Sequence, residues 1–266
     1  MIHRLRRLTT ALLLTALVAA LAGGGAVSAV SRPQPDPAPG QLNVVALGDS
    51  VTSGTGCNCA AFPSMYGDLL HGRTGDYVSV DNLGAGGLDS TDLLNQLDQP
   101  RSTTTRATSS ADVVLLTIGA NDFGDHHDDI TTGQCTDGQC VTDELGQLRT
   151  NLQRILAQIR SLRAAHPPVV LVTDYWNVFE DGEVARHNFP ADGRAATNTL
   201  THNANQVIAS TAHADGATFV DLYDAFEDSG KDVTSLLAAD GDHPNAAGHA
   251  LIAQLLLEAT PELTGH

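Results

Sequence analysis

Short apolar runs alternate with longer amphipathic stretches along the chain from Asn43 onward. Runs of this kind, bounded by glycine or polar residues, are typical of buried strands, and a helix between successive strands is typical of a parallel sheet. The alternation therefore predicts an α/β fold with a mainly parallel sheet of five strands. The candidate strands are Val44–Leu47, Tyr77–Val80, Val113–Ile118, Val169–Val172 and Thr218–Val220.

The clearest predicted helix runs from Leu145 to Leu162, where leucine and isoleucine recur at spacings of three and four residues. Arginines stand between them, so one face of the helix is apolar and the other is charged. Pro167 and Pro168 separate this helix from the next strand. Two further helices are predicted, from Leu200 to Ile208 and from Ala247 to Leu256.

Residues 1–29 have the pattern of a secretory signal peptide. Arginines near the start precede an apolar run from Ala11 to Ala22, and small residues follow at Val27-Ser28-Ala29. The run is shorter than the ~20 residues of a membrane-spanning helix, although an uncleaved anchor is the alternative. Residues 30–40 are rich in proline and predict an extended linker. We therefore expect a secreted protein with one folded domain over residues 41–266 and no membrane anchor after cleavage.

The chain is strongly acidic. Its 31 aspartates and glutamates stand against 14 lysines and arginines, which gives a formal net charge of −17. Such a charge repels the phosphates of nucleic acids and the surface of anionic membranes. We therefore expect no nucleic-acid partner, and we expect the domain to be a monomer.

Four cysteines suit an oxidising compartment and two disulfides: Cys57, Cys59, Cys135 and Cys140. Four cysteines allow three pairings, and the sequence does not choose among them. A local Cys135–Cys140 bridge leaves Cys57 and Cys59 to pair across a single residue, which is geometrically unfavourable. Zinc binding is the alternative, but an exported protein favours disulfides, and we expect no metal.

Polar or glycine-rich clusters follow several of the predicted strands. Ser50 follows the first strand, Gly84 the second and Asn121 the third, while Asp240 and His243 come after the fifth. In an open parallel sheet, reactive groups collect beyond the carboxyl ends of the strands. We therefore expect these residues to form one site.

Ser50 is the candidate nucleophile of this site. A serine hydroxyl needs a base that takes its proton and a third group that orients the base. An aspartate three residues before a histidine, in a turn with Gly241, can bring its carboxylate to the imidazole Nδ1, so Asp240 and His243 are the predicted partners. Asp242 is the competing partner, but side chains of adjacent residues diverge.

Attack of a serine on a carbonyl creates an oxyanion, which requires donors that already point at it. The candidate donors are the backbone N–H groups of Ser50 and Gly84 and the side-chain amide of Asn121. Glycine lets the backbone approach a substrate closely, and an asparagine amide donates without acting as a base.

These residues resemble the SGNH, or GDSL, family of serine esterases and lipases. Gly48-Asp49-Ser50 is similar to the first block of that family, Asn82-x-Gly84-x-x-Gly87 to the second, Gly119-x-Asn121-Asp122 to the third and Asp240-x-x-His243 to the fourth. The resemblance spans the mature domain. It implies a flavodoxin-like three-layer α/β/α fold, no cofactor, and hydrolysis of carboxylic esters through an acyl-serine intermediate. Val51-Thr52 departs from the leucine or isoleucine that often follows the serine.

Three functions stay open at this point. The first is an esterase or lipase that acts on a small-molecule or lipid ester, the second is a carbohydrate O-deacetylase, and the third is a non-catalytic domain that binds carbohydrate. Tyr175, Trp176 and Phe179 follow the fourth strand and line either an acyl or sugar pocket or the core. His126 and His127 stand among aspartates, in a solvated acidic loop or, alternatively, a divalent metal site.

Overall fold

The computed structural model describes residues 40–136, 138–227 and 232–263. The predicted signal peptide lies outside the described residues, and so does the predicted linker except for Gly40.

Five parallel strands form the central sheet, in the order β2-β1-β3-β4-β5. They are β1 (Gln41–Gly48), β2 (Tyr77–Asn82), β3 (Val113–Thr117), β4 (Val169–Thr173) and β5 (Thr218–Val220). All five predicted strands are confirmed, and the largest difference is that β1 begins at Gln41 instead of Val44. The strand order reverses between β1 and β3, where the carboxyl ends of an open sheet leave a crevice.

Helices flank the sheet in a three-layer α/β/α arrangement, which confirms the predicted fold class. Helix α2 packs on α10, while α6 packs on α3 and α8. None of the helices in the described residues is long and apolar enough to cross a membrane. The helices of the described part are α1 (Ser50–Ser53), α2 (Phe62–Thr74), α3 (Ser90–Asp98), α4 (Thr103–Thr108), α5 (His127–Thr131), α6 (Thr142–Leu162), α7 (Gly182–Asn188), α8 (Ala191–Ala214), α9 (Leu222–Glu227) and α10 (Ala246–Ala259).

The three predicted helices are confirmed as α6, α8 and α10, but α2 was not expected from the sequence. Its apolar residues are interrupted by glycines, so the helical periodicity is weak. Gly67 explains one of these interruptions, because a Cβ there would lie 2.4 Å from Cγ2 of Val80 in β2. The glycine lets α2 lie close against the sheet, and tertiary packing outweighs the low helix propensity.

The aromatic residues after β4 belong to the core. Tyr175 and Trp176 are buried, and the ring of Trp176 stacks on Phe226 with the centroids 4.4 Å apart. Phe179 is buried as well. The core alternative is therefore correct, and these side chains provide no exposed platform for a sugar.

The cysteines form the disulfides Cys57–Cys59 and Cys135–Cys140, with Cα–Cα distances of 5.2 and 6.1 Å. The sequence left the pairing open, and the structure contains both local bridges, including the one across a single residue that the spacing made unfavourable. Gly54 and Gly56 precede the pair with φ of +81° and +76°, so the backbone there already follows the tight path that the bridge requires.

A buried ion pair ties the carboxyl end of α6 to the beginnings of β1 and β3. Nη1 of Arg163 lies 2.5 Å from Oδ1 of Asp112, and the Asp112 side chain is fully buried. The other carboxylate oxygen accepts the N–H of Asn43 at 2.8 Å. Arg163 also donates to the carbonyl of Ala111. Removal of one member would leave a buried, uncompensated charge.

We therefore expect Arg163→Ala to lower the free energy of unfolding by about 3–5 kcal/mol, as for other broken buried pairs. Arg154→Ala is the control, since Arg154 lies 3.2 Å from Asp98 with both side chains about half exposed. That substitution should cost only about 0–1 kcal/mol. Urea unfolding measures both variants, and equal losses would contradict the assignment.

Candidate active site

The turn that carries Ser50 depends on a close contact between two strands. Gly48 ends β1 with a φ of +146°, and a Cβ there would lie 2.0 Å from the carbonyl oxygen of Thr117 in β3. The N–H of Asp49 donates to that same oxygen at 3.2 Å. Only glycine fits this position, and Ser50 comes two residues later as the first residue of α1.

Asp49 directly precedes α1 and stabilises its beginning. Its Oδ1 accepts the N–H of Val51 at 3.0 Å, and its Oδ2 accepts the hydroxyl of Tyr175. Burial raises the pKa of Asp49 to about 7, against the lowering effect of these hydrogen bonds. Sequence reasoning missed this partnership, because no spacing links Tyr175 to Asp49.

The predicted aspartate and histidine form a bonded pair. Nδ1 of His243 donates to Oδ2 of Asp240 at 2.9 Å, and Oδ1 accepts the backbone N–H groups of Asp242 and His243, each at 3.1 Å. Burial alone would raise the pKa of Asp240, but these hydrogen bonds outweigh it and lower the pKa. The carboxylate is therefore ionised and fixes the orientation of the imidazole.

The turn around this pair is fixed by its backbone. Gly241 has a φ of +74°, and a Cβ there would lie 2.4 Å from Cβ of Val184. The N–H of Ala238 donates to the carbonyl of His243 at 2.7 Å. Asn245 then caps α10, with its Oδ1 accepting the N–H of Ala247 at 2.8 Å.

Gly56 is the point where this turn meets the segment that follows Ser50. A Cβ on Gly56 would lie 2.8 Å from both Oδ2 of Asp240 and Cβ of His243. His243 is also close enough to Asp49 to lower the pKa of that carboxyl. Asp242 faces the other side of the imidazole, with its Oδ2 3.7 Å from Nε2 of His243. The structure thus brings Asp240 and His243 against Gly56, in the loop that follows the Ser50 turn.

Gly84 lies against α1, where a Cβ would be 2.5 Å from the backbone nitrogen of Ser53. Its N–H donates to Oδ1 of Asn82 at 3.0 Å, and Nδ2 of Asn82 donates to the carbonyl of Thr52 at 2.8 Å. Asn82 therefore locks the glycine loop onto α1. In the structure, the Gly84 N–H therefore already donates to the side chain of Asn82.

Asn121 lies in a 3₁₀ turn after β3, and its Nδ2 donates to the carbonyl of Leu88 at 3.0 Å. An amide nitrogen carries two hydrogens, so this bond fixes the side chain and leaves one hydrogen to point elsewhere. The neighbouring Asp122 accepts the N–H of Ser90 at 3.0 Å and also its hydroxyl. Burial raises the pKa of Asp122 to about 6 in spite of these bonds.

The adjacent histidines of the acidic loop have separate partners. Nε2 of His126 lies 2.9 Å from Oε1 of Glu144, and Nδ1 of His127 lies 3.2 Å from Oδ1 of Asp128. The ring of His127 meets Phe179 edge to face at a centroid distance of 5.2 Å. Within the described ranges, these residues do not gather into a set of three metal ligands.

Sequence comparison places the chain in a family. The model of the GDSL-like lipase/acylhydrolase family matches residues 46–251, which is most of the chain. No curated protein matches the sequence significantly.

Several solved structures have the same fold. A lipase from a goat rumen metagenome is 19% identical with a TM-score of 0.65, and the match covers 84% of this chain and 99% of that one. Acetylxylan esterase Axe2 from Geobacillus stearothermophilus is 17% identical with a TM-score of 0.58, covering 85% and 95%. Phospholipase A1 from Streptomyces albidoflavus is 23% identical with a TM-score of 0.57, covering 82% and 99%.

The four sequence blocks lie around one end of the sheet, and the family model spans them from the end of β1 into α10. The chain therefore belongs to the GDSL-like lipase/acylhydrolase family and is a carboxylic ester hydrolase.

Proposed function

We propose that the protein is a secreted serine hydrolase that cleaves carboxylic esters through an acyl-serine intermediate, with Ser50, His243 and Asp240 as its catalytic triad. The observation that supports this assignment is the 2.9 Å bond between Asp240 and Nδ1 of His243, on a turn that contacts Gly56 just after the Ser50 turn. Nδ1 carries the proton that Asp240 accepts. In the neutral ring Nε2 therefore carries no proton and can act as a base.

In the proposed reaction, Nε2 of His243 takes the proton of the Ser50 hydroxyl as Oγ attacks the ester carbonyl. The tetrahedral intermediate collapses, the C–O bond to the alcohol breaks, and the imidazolium returns the proton to the leaving alcohol. Water then attacks the acyl-serine with His243 again as base, and the carboxylic acid is released. Asp240 stays ionised throughout and stabilises the imidazolium.

Three donors are proposed for the oxyanion. The N–H of Ser50 lies at the beginning of α1, where backbone donors have no partner within the helix. Asn121 supplies one amide hydrogen to the oxyanion, while the other donates to the carbonyl of Leu88. Gly84 would have to share its N–H between the oxyanion and Asn82. We therefore assign a larger contribution to the Asn121 amide than to the Gly84 N–H.

The substrate is proposed to be an acyl ester of small or medium size, or a lipid. An O-acetylated carbohydrate is the second candidate, since one protein with this fold is an acetylxylan esterase. Trp176 gives this candidate no support, because the ring is buried. Hydrolysis rates on p-nitrophenyl esters from acetate to palmitate and on acetylated xylan distinguish the candidates, and inactivity on all of them would favour the third function, a non-catalytic domain that binds carbohydrate.

Export is supported by two independent features. The pattern of residues 1–29 is that of a signal peptide, and the four cysteines are paired in two disulfides, which persist in oxidising compartments.

Ser50→Ala should lower kcat by about 10⁶-fold, because no other group can form the acyl intermediate. Ser53→Ala is the matched control, since Ser53 lies one turn later on the same helix. It should retain most of the activity. Turnover of the best p-nitrophenyl ester measures both, with circular dichroism as the check on folding. Turnover retained by Ser50→Ala would show that Ser50 is not the nucleophile.

Asn121→Ala should lower kcat by about 10²–10³-fold, with a smaller change in KM, because its amide acts on charge that develops in the transition state. An unchanged kcat in a folded variant would limit Asn121 to its bond with Leu88.

Asp49→Asn should flatten the pH dependence of stability. The pKa of Asp49 rises from 3.8 to about 7 on folding, so the folded chain binds more protons between these pH values and its free energy of unfolding falls as pH rises through them. Asparagine still accepts the Val51 N–H but does not ionise. We expect a gain of about 2–4 kcal/mol above pH 7 and little change near pH 4.

Urea unfolding from pH 4 to pH 8 checks this expectation, with the exposed Asp68→Asn as the control. Asp122 and Asp174 also have raised pKa values, about 6 and about 7, so part of the slope should remain. An identical slope in the Asp49 variant would show that this carboxyl does not titrate as described.

A further inference from the structure

The disulfide that follows the Ser50 turn lies against a buried histidine. The sulfur atoms of Cys57 and Cys59 and one ring nitrogen of His249 all lie within 4.8 Å of one another. His249 is in α10 and is fully buried, whereas both cysteines are partly exposed. The ester hydrolysis proposed above uses none of these three residues.

The hydrogen bonds of His249 determine where its proton is. The N–H of Phe62 donates to Nδ1 at 3.3 Å, so Nδ1 is the acceptor and the proton of the neutral ring is on Nε2. Burial lowers the pKa of His249 to about 4, which keeps the ring neutral. Nε2 is buried and has no hydrogen-bond partner among the residues that the structure describes. A buried donor without an acceptor is destabilising, so an acceptor that arises in another state of the protein would account for it.

We propose that Cys57–Cys59 is a redox-active disulfide that exchanges with thiols, and that Nε2–H of His249 donates to the cysteine thiolate that this exchange releases. The neutral sulfurs of a disulfide are weak acceptors, but a thiolate is a charged one, and hydrogen bonds to charged groups are about twice as strong as neutral ones. This hydrogen bond therefore favours the reduced state of Cys57 and Cys59 and assists the departure of the thiolate.

The exchange proceeds in two balanced steps. A thiolate attacks one of the two sulfurs, a mixed disulfide forms, and the Cys57–Cys59 bond breaks with its electron pair on the other sulfur. A second thiolate then attacks the mixed disulfide and leaves as the oxidised disulfide of the thiol. Two thiol molecules are oxidised, the protein disulfide is reduced by two electrons, and the two protons are left to the cysteines or to solvent.

Access to the site is open from solvent. Asn58, between the two cysteines, and Gly56, just before them, are both exposed. The Cys135–Cys140 disulfide is an internal comparison within the same chain, with Cys140 exposed and Cys135 buried. Among the described residues, however, no histidine forms a comparable group with its two sulfurs. The two disulfides thus differ in the donor and also in the burial of Cys135, so the substitutions at His249 isolate the effect of the donor.

The test follows each disulfide separately in the intact chain. The protein is incubated with reduced glutathione near pH 7, quenched at intervals with an alkylating reagent, and digested for mass spectrometry of the cysteine peptides. We expect Cys57–Cys59 to be reduced about tenfold faster than Cys135–Cys140, because a leaving thiolate of lower pKa departs faster. Equal rates, or slower reduction of Cys57–Cys59, would overturn the proposal.

Two substitutions test the role of His249. His249→Phe keeps a buried ring but removes the donor, and it should slow reduction of Cys57–Cys59 to about the rate of Cys135–Cys140. His249→Gln retains an N–H donor and should keep most of the wild-type rate, which also covers the case that the phenylalanine variant does not fold. Unchanged rates in a folded His249→Phe, or a rate in His249→Gln as low as that of Cys135–Cys140, would overturn the assignment.

The ultraviolet absorbance of the thiolate gives a readout that a merely structural histidine would not move. In the reduced protein, the first thiol at this site should titrate below the ordinary cysteine pKa of about 8.5, and His249→Phe should raise that value. These measurements detect thiols and not ester hydrolysis, so they stand whether or not the proposed hydrolase function is correct.

Discussion

The contact between Gly48 and the carbonyl of Thr117 is the constraint on which the site depends. Any Cβ at this position would overlap the carbonyl oxygen, so β1 and β3 can end side by side only with glycine there. The chain then turns at once into α1, and Ser50 lies at the carboxyl end of the sheet. Asn121 follows the end of β3 by four residues, at the same switch in strand order. One backbone contact therefore sets both the proposed nucleophile and the proposed amide donor at the crevice.

The turn is held by an acid that is costly to bury. Asp49 both caps α1 and accepts the hydroxyl of Tyr175, which ties the turn to the segment after β4. A neutral cap would stabilise the fold more above neutral pH, because the buried carboxyl resists ionisation there. The molecule thus combines a destabilising group with a fixed turn for the proposed nucleophile, a combination common where function and stability compete.

The sequence was most informative where local periodicity and global fold agree. The strands and α6 follow from patterns of apolar residues, and the four blocks follow from chemistry placed after strands. The partnership of Tyr175 with Asp49 did not follow, because it joins residues far apart that only the path of the sheet brings together. The Cys57–Cys59 pairing could not be chosen from the sequence for a related reason, since cysteine spacing alone does not give the path of the loop, where Gly54 and Gly56 have positive φ.

The two parts of the site come from opposite ends of the domain, so their alignment depends on the short loop between α1 and α2. On one side, Gly56 in that loop contacts Asp240 and His243. On the other, Cys57 and Cys59 lie against His249, six residues after His243 in the same C-terminal segment. Because this loop contacts the C-terminal segment at Gly56, Cys57 and Cys59, it has little freedom to move relative to that segment. The turn with His243 therefore packs against the loop that follows α1, although its aspartate is nearly half exposed to solvent.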